Sequence, residues 1–260
     1  MANRHRRSRT GGTGSQVKEL LAGILFLLSA VNPLHADRPR AESLGYEVFW
    51  AGMLVGRARI DVLHTTDSNQ FAIRTTAKAN NAIQGIYPVL DTVESWVNSN
   101  DGLPWQFHKR LNEGSYSASV QISFDRSNKV VRVLGGQKKG GSPDTTLEMP
   151  AGVHDLLSAF LAVRRGTLTP GTSIHLPIVD NRKIFQDVEI ACLRRESIDL
   201  DDNGSFKTIV IEPRLHGDAL FKSKGKLTIW LTDDDRHLPV LMESEIKLGT
   251  IRAELVSHSP

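Results

Sequence analysis

His154, Asp155 and Ser158 fall within five residues, and a base, an acid and a hydroxyl are the groups of a nucleophilic hydrolase. Such a triad needs the acid to orient the histidine and the histidine to touch the hydroxyl. Neighbouring side chains on a helix diverge by about 100°, so His154 and Asp155 do not face one another. His154 and Ser158 are four apart and can touch, but the orienting acid would have to come from elsewhere. The pair therefore reads first as a helix start, with Asp155 beside free backbone N–H groups. Asp233, Asp234 and Asp235 form a second acidic cluster. They lack the Asp-x-Asp-x-Asp-Gly spacing of a calcium loop and suit a turn whose Asp side chains bond the backbone, with Arg236 available as an ion partner. His64, His108, His154, His175, His216, His237 and His258 share no short metal motif. No metal and no cofactor is expected. Cys192, the single cysteine, sits between Ala191 and Leu193 in a strand pattern and reads as a buried, inert thiol. One cysteine excludes a disulfide framework. Neither Gly-x-Ser-x-Gly nor Gly-x-Gly-x-x-Gly occurs. His154, Asp155, Asp234 and His237 remain as polar candidates, and no residue is assigned as catalytic.

Charge has to be located before it is interpreted. The chain has 260 residues, 32 Lys+Arg, 29 Asp+Glu and a formal net charge of +3. Its pI is near 9.0. Residues 1–36 hold five of the basic residues and one acid, so 27 basic and 28 acidic residues follow them. The remainder carries net −1 and lacks the clustered cations that a nucleic-acid partner requires. Leu20–Val31 is an apolar run of 12 residues behind Arg4, Arg6, Arg7 and Arg9. It is shorter than the roughly 20 residues of a membrane span. With Ala36 at the cut, residues 1–36 are expected to be a cleaved signal peptide, and the protein to be periplasmic with no stable transmembrane span. The alternative is an uncleaved membrane anchor.

Residues 37–43 read as a flexible leader and 44–258 as one domain. Short alternating runs recur from Leu44 onward, clearest in Ala118–Phe124, where Val120, Ile122 and Phe124 face one way. About a dozen antiparallel strands are expected. Gly135–Pro143 is a mobile basic loop, not a phosphate loop. Gly56–Val62 and Gly249–Val256 share a faint pattern, short enough to arise by chance, that would suit first and last strands side by side. One stretch has helical period: Val153, Leu156, Leu157, Phe160 and Leu161 form an amphipathic stripe. Asp155 falls in its first turn, Arg164 and Arg165 in its last, and Gly166 where a left-handed cap belongs. The fold class is therefore mainly β: a large curved antiparallel sheet, as a half-barrel or open barrel, with one substantial helix packed on it.

Such a fold can hold a ligand without catalytic residues. Trp50, Trp96, Trp105, Phe107, Val153, Leu157, Phe160 and Leu161 are the candidate lining residues. The expected partner is an apolar small molecule or lipid, or an envelope protein. The function expected is non-enzymatic binding; a structural or assembly role in the envelope is the alternative, and an enzyme with an unfamiliar site comes last.

Several segments together resemble the DUF3108 family of exported bacterial proteins. Tyr46–Gly56 looks like its opening strand and glycine turn. Val153–Phe160, with Arg164-Arg165 and Leu168–Gly171, looks like its central helix and exit. Leu231–Val240 followed by Gly249 looks like its closing hairpin. The resemblance spans roughly residues 44–258. It implies export in Gram-negative bacteria and carries no established activity or functional residue.

Overall fold

The computed structural model describes residues 39–137, 143–200, 203–215, 226–246 and 249–260. Residues 1–38, which include the expected signal peptide, residues 138–142 of the expected Gly135–Pro143 loop, Asp201-Asp202, residues 216–225 with His216, and residues 247–248 lie outside the described residues. Gly135–Gln137, expected in that loop, end strand Val130–Gln137 instead. The strands are β1 (Glu42–Trp50), β2 (Met53–His64), β3 (Gln70–Ala79), β4 (Leu90–Asn98), β5 (Pro104–Glu113), β6 (Tyr116–Asp125), β7 (Val130–Gln137) and β8 (Thr145–Glu148). They continue as β9 (Ser173–Asp180), β10 (Lys183–Asp199), β11 (Ser205–Leu215), β12 (Leu227–Thr232), β13 (Pro239–Ile246) and β14 (Gly249–Ser259). Two helices are present: α1 (Asn81–Gln84) and α2 (Leu156–Arg164). Glu42 and Ser43, assigned to the leader from sequence, belong to β1. The short strand β8 and the single turn α1 have no counterpart in the predicted elements.

All fourteen strands join one sheet, ordered β8-β7-β6-β5-β4-β3-β2-β1-β14-β13-β12-β11-β10-β9. The first and last strands lie side by side in its middle, paired antiparallel from Ser43–Ser259 to Trp50–Ile251. Period-two burial explains the inner face: on β6, Ala118, Val120, Ile122 and Phe124 are buried and alternate with more exposed neighbours. The β1–β2 turn is Ala51-Gly52 with φ of +48° and +82°. Positive φ at both positions is the tight hairpin geometry that matches strand twist, and Gly52 adopts it without a steric penalty.

The sheet curls until residues beside its two unpaired edges come into contact. Edge strands β8 and β9 flank α2 in sequence. Between them the His154 N–H donates to the Pro177 carbonyl at 3.0 Å, and the Val179 N–H donates to the His154 carbonyl at 2.9 Å. The Arg182 guanidinium reaches the carbonyls of Gly135 and Pro143 from the other side of the seam. The result is an open, nearly closed barrel.

The helix sits inside this curl. It has nine residues, and all but Ala162 are buried, so it has no solvent face. The amphipathic stripe is thus half of a fully covered surface, and the helix is shorter than the predicted one. Leu156, Leu157, Phe160, Leu161 and Val163 join the inward side chains of the strands in one continuous core. Each such side chain is worth roughly 2 kcal/mol of burial. Asp155 is the N-cap rather than a first-turn residue, and Arg165 ends the helix in right-handed geometry, so Gly166 is not a left-handed cap.

Because successive strands alternate in direction, the barrel has two rims. The helix rim carries Glu42, Pro104, Arg126 and the β12–β13 turn. The far rim carries the Ala51-Gly52 turn, residues 80–89, the β5–β6 turn and the start of β14. Arg164 ties the helix into the first rim. Its guanidinium forms a two-pronged ion pair with Glu42, donates through Nε to the His237 carbonyl at 3.0 Å and through Nη2 to the Arg236 carbonyl at 3.2 Å. Its side chain is 5% exposed and that of Glu42 14%. Replacing one partner of such a pair leaves the other charge buried. Arg164→Met is expected to lower the unfolding free energy by about 3 kcal/mol in urea titrations. Adding Glu42→Gln should recover part of the loss. A second substitution that recovers nothing would show that the charge pair is not the cause.

Candidate functional site

The predicted lining residues do not gather around one cavity. Phe107 and Val153 are fully buried, and Leu157, Phe160 and Leu161 are at most 7% exposed, all within the filled core. The space between helix and sheet is where the cavity was expected, and these side chains occupy it. Trp96 and Trp105 sit on the outer face, with ring centroids 6.4 Å apart and His108 edge-on to Trp96 at 4.9 Å. Period two turns Trp96 away from inward Val97. Trp105 shares the parity of inward Phe107 and is turned outward by the β-bulge that pairs Val97 with Pro104 and Trp96 with Gln106 and skips Trp105.

The polar candidates separate to the two ends of α2. At its N-terminus the Asp155 carboxylate accepts from the Leu157 N–H at 2.8 Å, the Ser158 N–H at 2.9 Å and the Ser95 hydroxyl at 2.6 Å. Burial pushes its pKa up to about 6, against those hydrogen bonds. His154 Nδ1 lies 3.1 Å from Ser158 Oγ, and burial, helped by nearby Arg126, pushes its pKa down to about 4. The Ser158 hydroxyl oxygen also accepts from the Asp155 N–H at 3.1 Å. His154, Asp155 and Ser158 are each at most 3% exposed, so the trio is a sealed helix cap. At the other end, Asp234 binds the Thr232 hydroxyl and Arg236 within its turn, and His237 Nδ1 bonds the Arg164 carbonyl at 2.8 Å. A nine-residue helix is about 13 Å long, so the two pairs of polar candidates cannot act together. Cys192 is buried, and burial raises its thiol pKa to about 11. Among the described residues no group of three His, Cys, Asp or Glu could hold a metal ion.

An apolar cleft opens at the far rim instead. Its walls are Val48 and Trp50 of β1, Val55 of β2, Ala77 and Ala79 of β3 and Ile251 of β14. The connection through Ile83, Tyr87 and Val89 lies across it. It encloses about 60 Å³ of free room within a total of about 550 Å³ that includes its open mouth. Of the predicted lining residues, Trp50 alone belongs to it. Small side chains make the space: inward Ala77 stands opposite Ala58, and inward Ala79 opposite Gly56.

Ionisable groups that the sequence did not single out sit near this end, inside the barrel. Asp91 and Glu113 are both fully buried and close enough to influence each other's ionisation. Burial raises the Asp91 pKa well above the ordinary range, while the Asn112 N–H, donating at 2.8 Å, works against it. Tyr87 and Tyr116 lie close enough that the Glu113 charge adds to burial in raising both phenols. Among the described residues, the solvent-shielded Tyr87 hydroxyl meets no hydrogen-bond partner. The Tyr87 ring packs on Gly114, whose φ is +57° and where a Cβ would come within 2.5 Å of the ring. Only glycine suits that contact. Deeper in, Lys109 pairs with Asp180 at 2.7 Å, with side chains 7% and 2% exposed. One sequence signal could have found these groups. Asp91 is in phase with Val93 and Val97, and Lys109 and Glu113 with Phe107 and Leu111, so three charges fall on core-facing positions.

These shifts have opposite consequences for stability. His154 binds its proton below about 4 when folded but below 6.5 when unfolded. The unfolded chain therefore holds more protons between those values, and stability rises with pH across that window. The difference between wild type and His154→Asn should grow by roughly 3 kcal/mol from pH 4 to pH 7 in urea titrations. Asp91 binds its proton more tightly when folded, so Asp91→Asn should gain relative to wild type as pH rises above the ordinary carboxylate range. A flat difference in either series would refute the corresponding burial.

The family model for DUF3108, proteins of unknown function, matches residues 45–256. Among solved structures, the chain is similar to a beta-barrel-like protein of domain of unknown function DUF1849 from Brucella abortus. The TM-score is 0.55 at 9% identity, over 86% of this chain and 98% of that one. This likeness concerns the fold alone. Looser similarities, at a TM-score of 0.34, link it to a candidate lipoprotein from Parabacteroides distasonis, at 10% identity over 85% of this chain and 96% of that one. The same score links it to a hypothetical protein from Chlamydia trachomatis, at 7% identity over 85% and 87%. No curated protein matches the chain. The matched span runs from within β1 to within β14 and so takes in the whole curled sheet and its internal helix: the chain belongs to the DUF3108 family.

Proposed function

We propose that this protein is an exported, non-enzymatic binding protein that takes an apolar molecule, such as a lipid chain, into the cleft at its far rim. The observation that carries this reading is the cleft itself: an open, apolar space bounded by Val48, Trp50, Ala77, Ala79 and Ile251, away from the close-packed side chains around the helix. Tyr87 adds a phenol whose hydroxyl can donate to an oxygen on the ligand. The sealed state of His154, Asp155 and Ser158 supports a role without catalysis by that trio. Export and a periplasmic location rest on the basic and apolar character of residues 1–36. Among the described residues no helix is long and apolar enough to cross a membrane.

The alternative of an envelope assembly factor draws on Trp105, which is 41% exposed on the outer face. It stands on an internal strand, β5, with β4 and β6 on either side, rather than on a sheet edge open to strand addition.

The cleft reading is tested with an environment-sensitive apolar dye and with solvent extraction of the purified protein. Wild type should bind the dye in competition with fatty acids and phospholipids. Ala79→Phe fills the cleft and should weaken binding by about tenfold, near the loss of one well-packed apolar contact, with the urea midpoint little changed. Equal dye binding by the two proteins, or none by wild type, would overturn the reading.

A further inference from the structure

The far rim is apolar on its outside as well as in its cleft. Met53 is 59% exposed, Leu54 38%, Ile86 84% and Leu90 55%. These are four of the seven large hydrophobic side chains exposed among the described residues, and all four lie at this rim. Met53 and Leu54 open β2 beside the Ala51-Gly52 turn. The Asn80 side chain donates to the Leu54 carbonyl at 2.6 Å and so brings the start of the Ile86 connection against them. Leu90 stands opposite Lys78, which in turn stands opposite Arg57, in one row across β4, β3 and β2.

Cations are set into this patch. Arg57 and Lys78 are both exposed and both border the cleft. Arg57 reaches Glu47 at 3.0 Å while keeping 76% of its side chain in solvent. The centre of a protein–protein interface is depleted in Lys. Protruding aliphatic side chains with Lys and Arg beside them suit a bilayer, where apolar groups enter the acyl boundary and cations stay at the phosphates.

We infer that this rim docks on the surface of an anionic phospholipid bilayer, with Met53, Leu54 and Ile86 entering the polar–apolar boundary and Arg57 and Lys78 at the headgroups. The inference rests on the apolar-ligand reading of the cleft and deepens it: the bilayer is where ligand enters or leaves, through a mouth held against the lipid. Docking brings Trp50, Val55 and Ile83 within reach of acyl chains without exposing the cleft to water.

The test places a reporter on each end of the barrel. Cys192 is buried, so a thiol-reactive, polarity-sensitive fluorophore goes to an introduced cysteine. Ile86→Cys carries it at the far rim, and Val256→Cys carries it near the end of β14, at the helix rim. Vesicles of phosphatidylglycerol with phosphatidylethanolamine should blue-shift and brighten the label at 86 and leave that at 256 unchanged. Vesicles of phosphatidylcholine alone should give a much smaller effect, and Arg57→Gln with Lys78→Gln should reduce the anionic response by about tenfold, consistent with attraction of each cation to the surface. No response at 86, or equal responses at both positions, would overturn the proposal. A response that appears only when the vesicles contain reconstituted membrane proteins would also overturn it and assign the rim to a protein partner. Dye binding in solution, measured without vesicles, reports on the cleft separately: its loss with docking intact sinks the ligand reading alone, and its survival without docking sinks this one alone.

Discussion

A sheet of fourteen strands encloses more width than its own side chains fill, and the chain meets this constraint by placing a helix in the middle. A helix in that position has unpaired N–H groups at one end and carbonyls at the other, with no water to satisfy them. Asp155 and Ser158 close the first end. Arg164 and His237 bind the second to the barrel wall, and Glu42 neutralises the guanidinium there. The closure of the sheet depends on the same segment, because His154 bridges to β9 immediately before the helix begins. Capping, filling and closing are therefore one structural problem solved within a dozen residues.

The interior is not uniformly apolar. Lys109–Asp180 and Asp91–Glu113 place four ionisable groups at inward positions toward the far rim. Removing charge from water is costly, and such groups persist only when paired or protonated. Lys109 and Asp180 meet that condition by charge, and at Asp91 burial favours the protonated carboxyl. They lie where the helix does not reach, in the part of the barrel that ends in the cleft. The helix rim is thus packed and capped, while the far rim combines a polar interior, an apolar cleft and an apolar outer edge. That asymmetry supports a binding role for one end of the molecule and a structural role for the other.

Strand positions were legible because alternation is local. The expected dozen or so antiparallel strands find their counterparts among the fourteen, and the family resemblance agrees with the span that the family model matches. β8 was missed because four residues, Thr145–Glu148, are too few to establish a period. The helix was legible as a stripe, but its opposite face also carries Ala159 and Val163, and only the surrounding strands decide that both faces are covered. Trp96 and Trp105 were selected for their size. Size speaks for contact area and says nothing of direction: strand phase turns Trp96 outward, and the β-bulge beside it turns Trp105 outward against its phase.

The sequence by itself determined the periodicities: antiparallel strands from Leu44 onward, one central helix, a basic and apolar leader, and the lack of familiar catalytic spacings. These follow from residues near one another in the chain, where covalent geometry sets which side chains share a face. Only the tertiary structure decided that β1 would lie beside β14, that α2 would be enclosed, that Lys109 would meet Asp180 across 71 positions, and that the open space would fall between Trp50, Ala79 and Ile251. Those outcomes depend on sheet curvature and closure. They are properties of all the strands together, and no single segment encodes them.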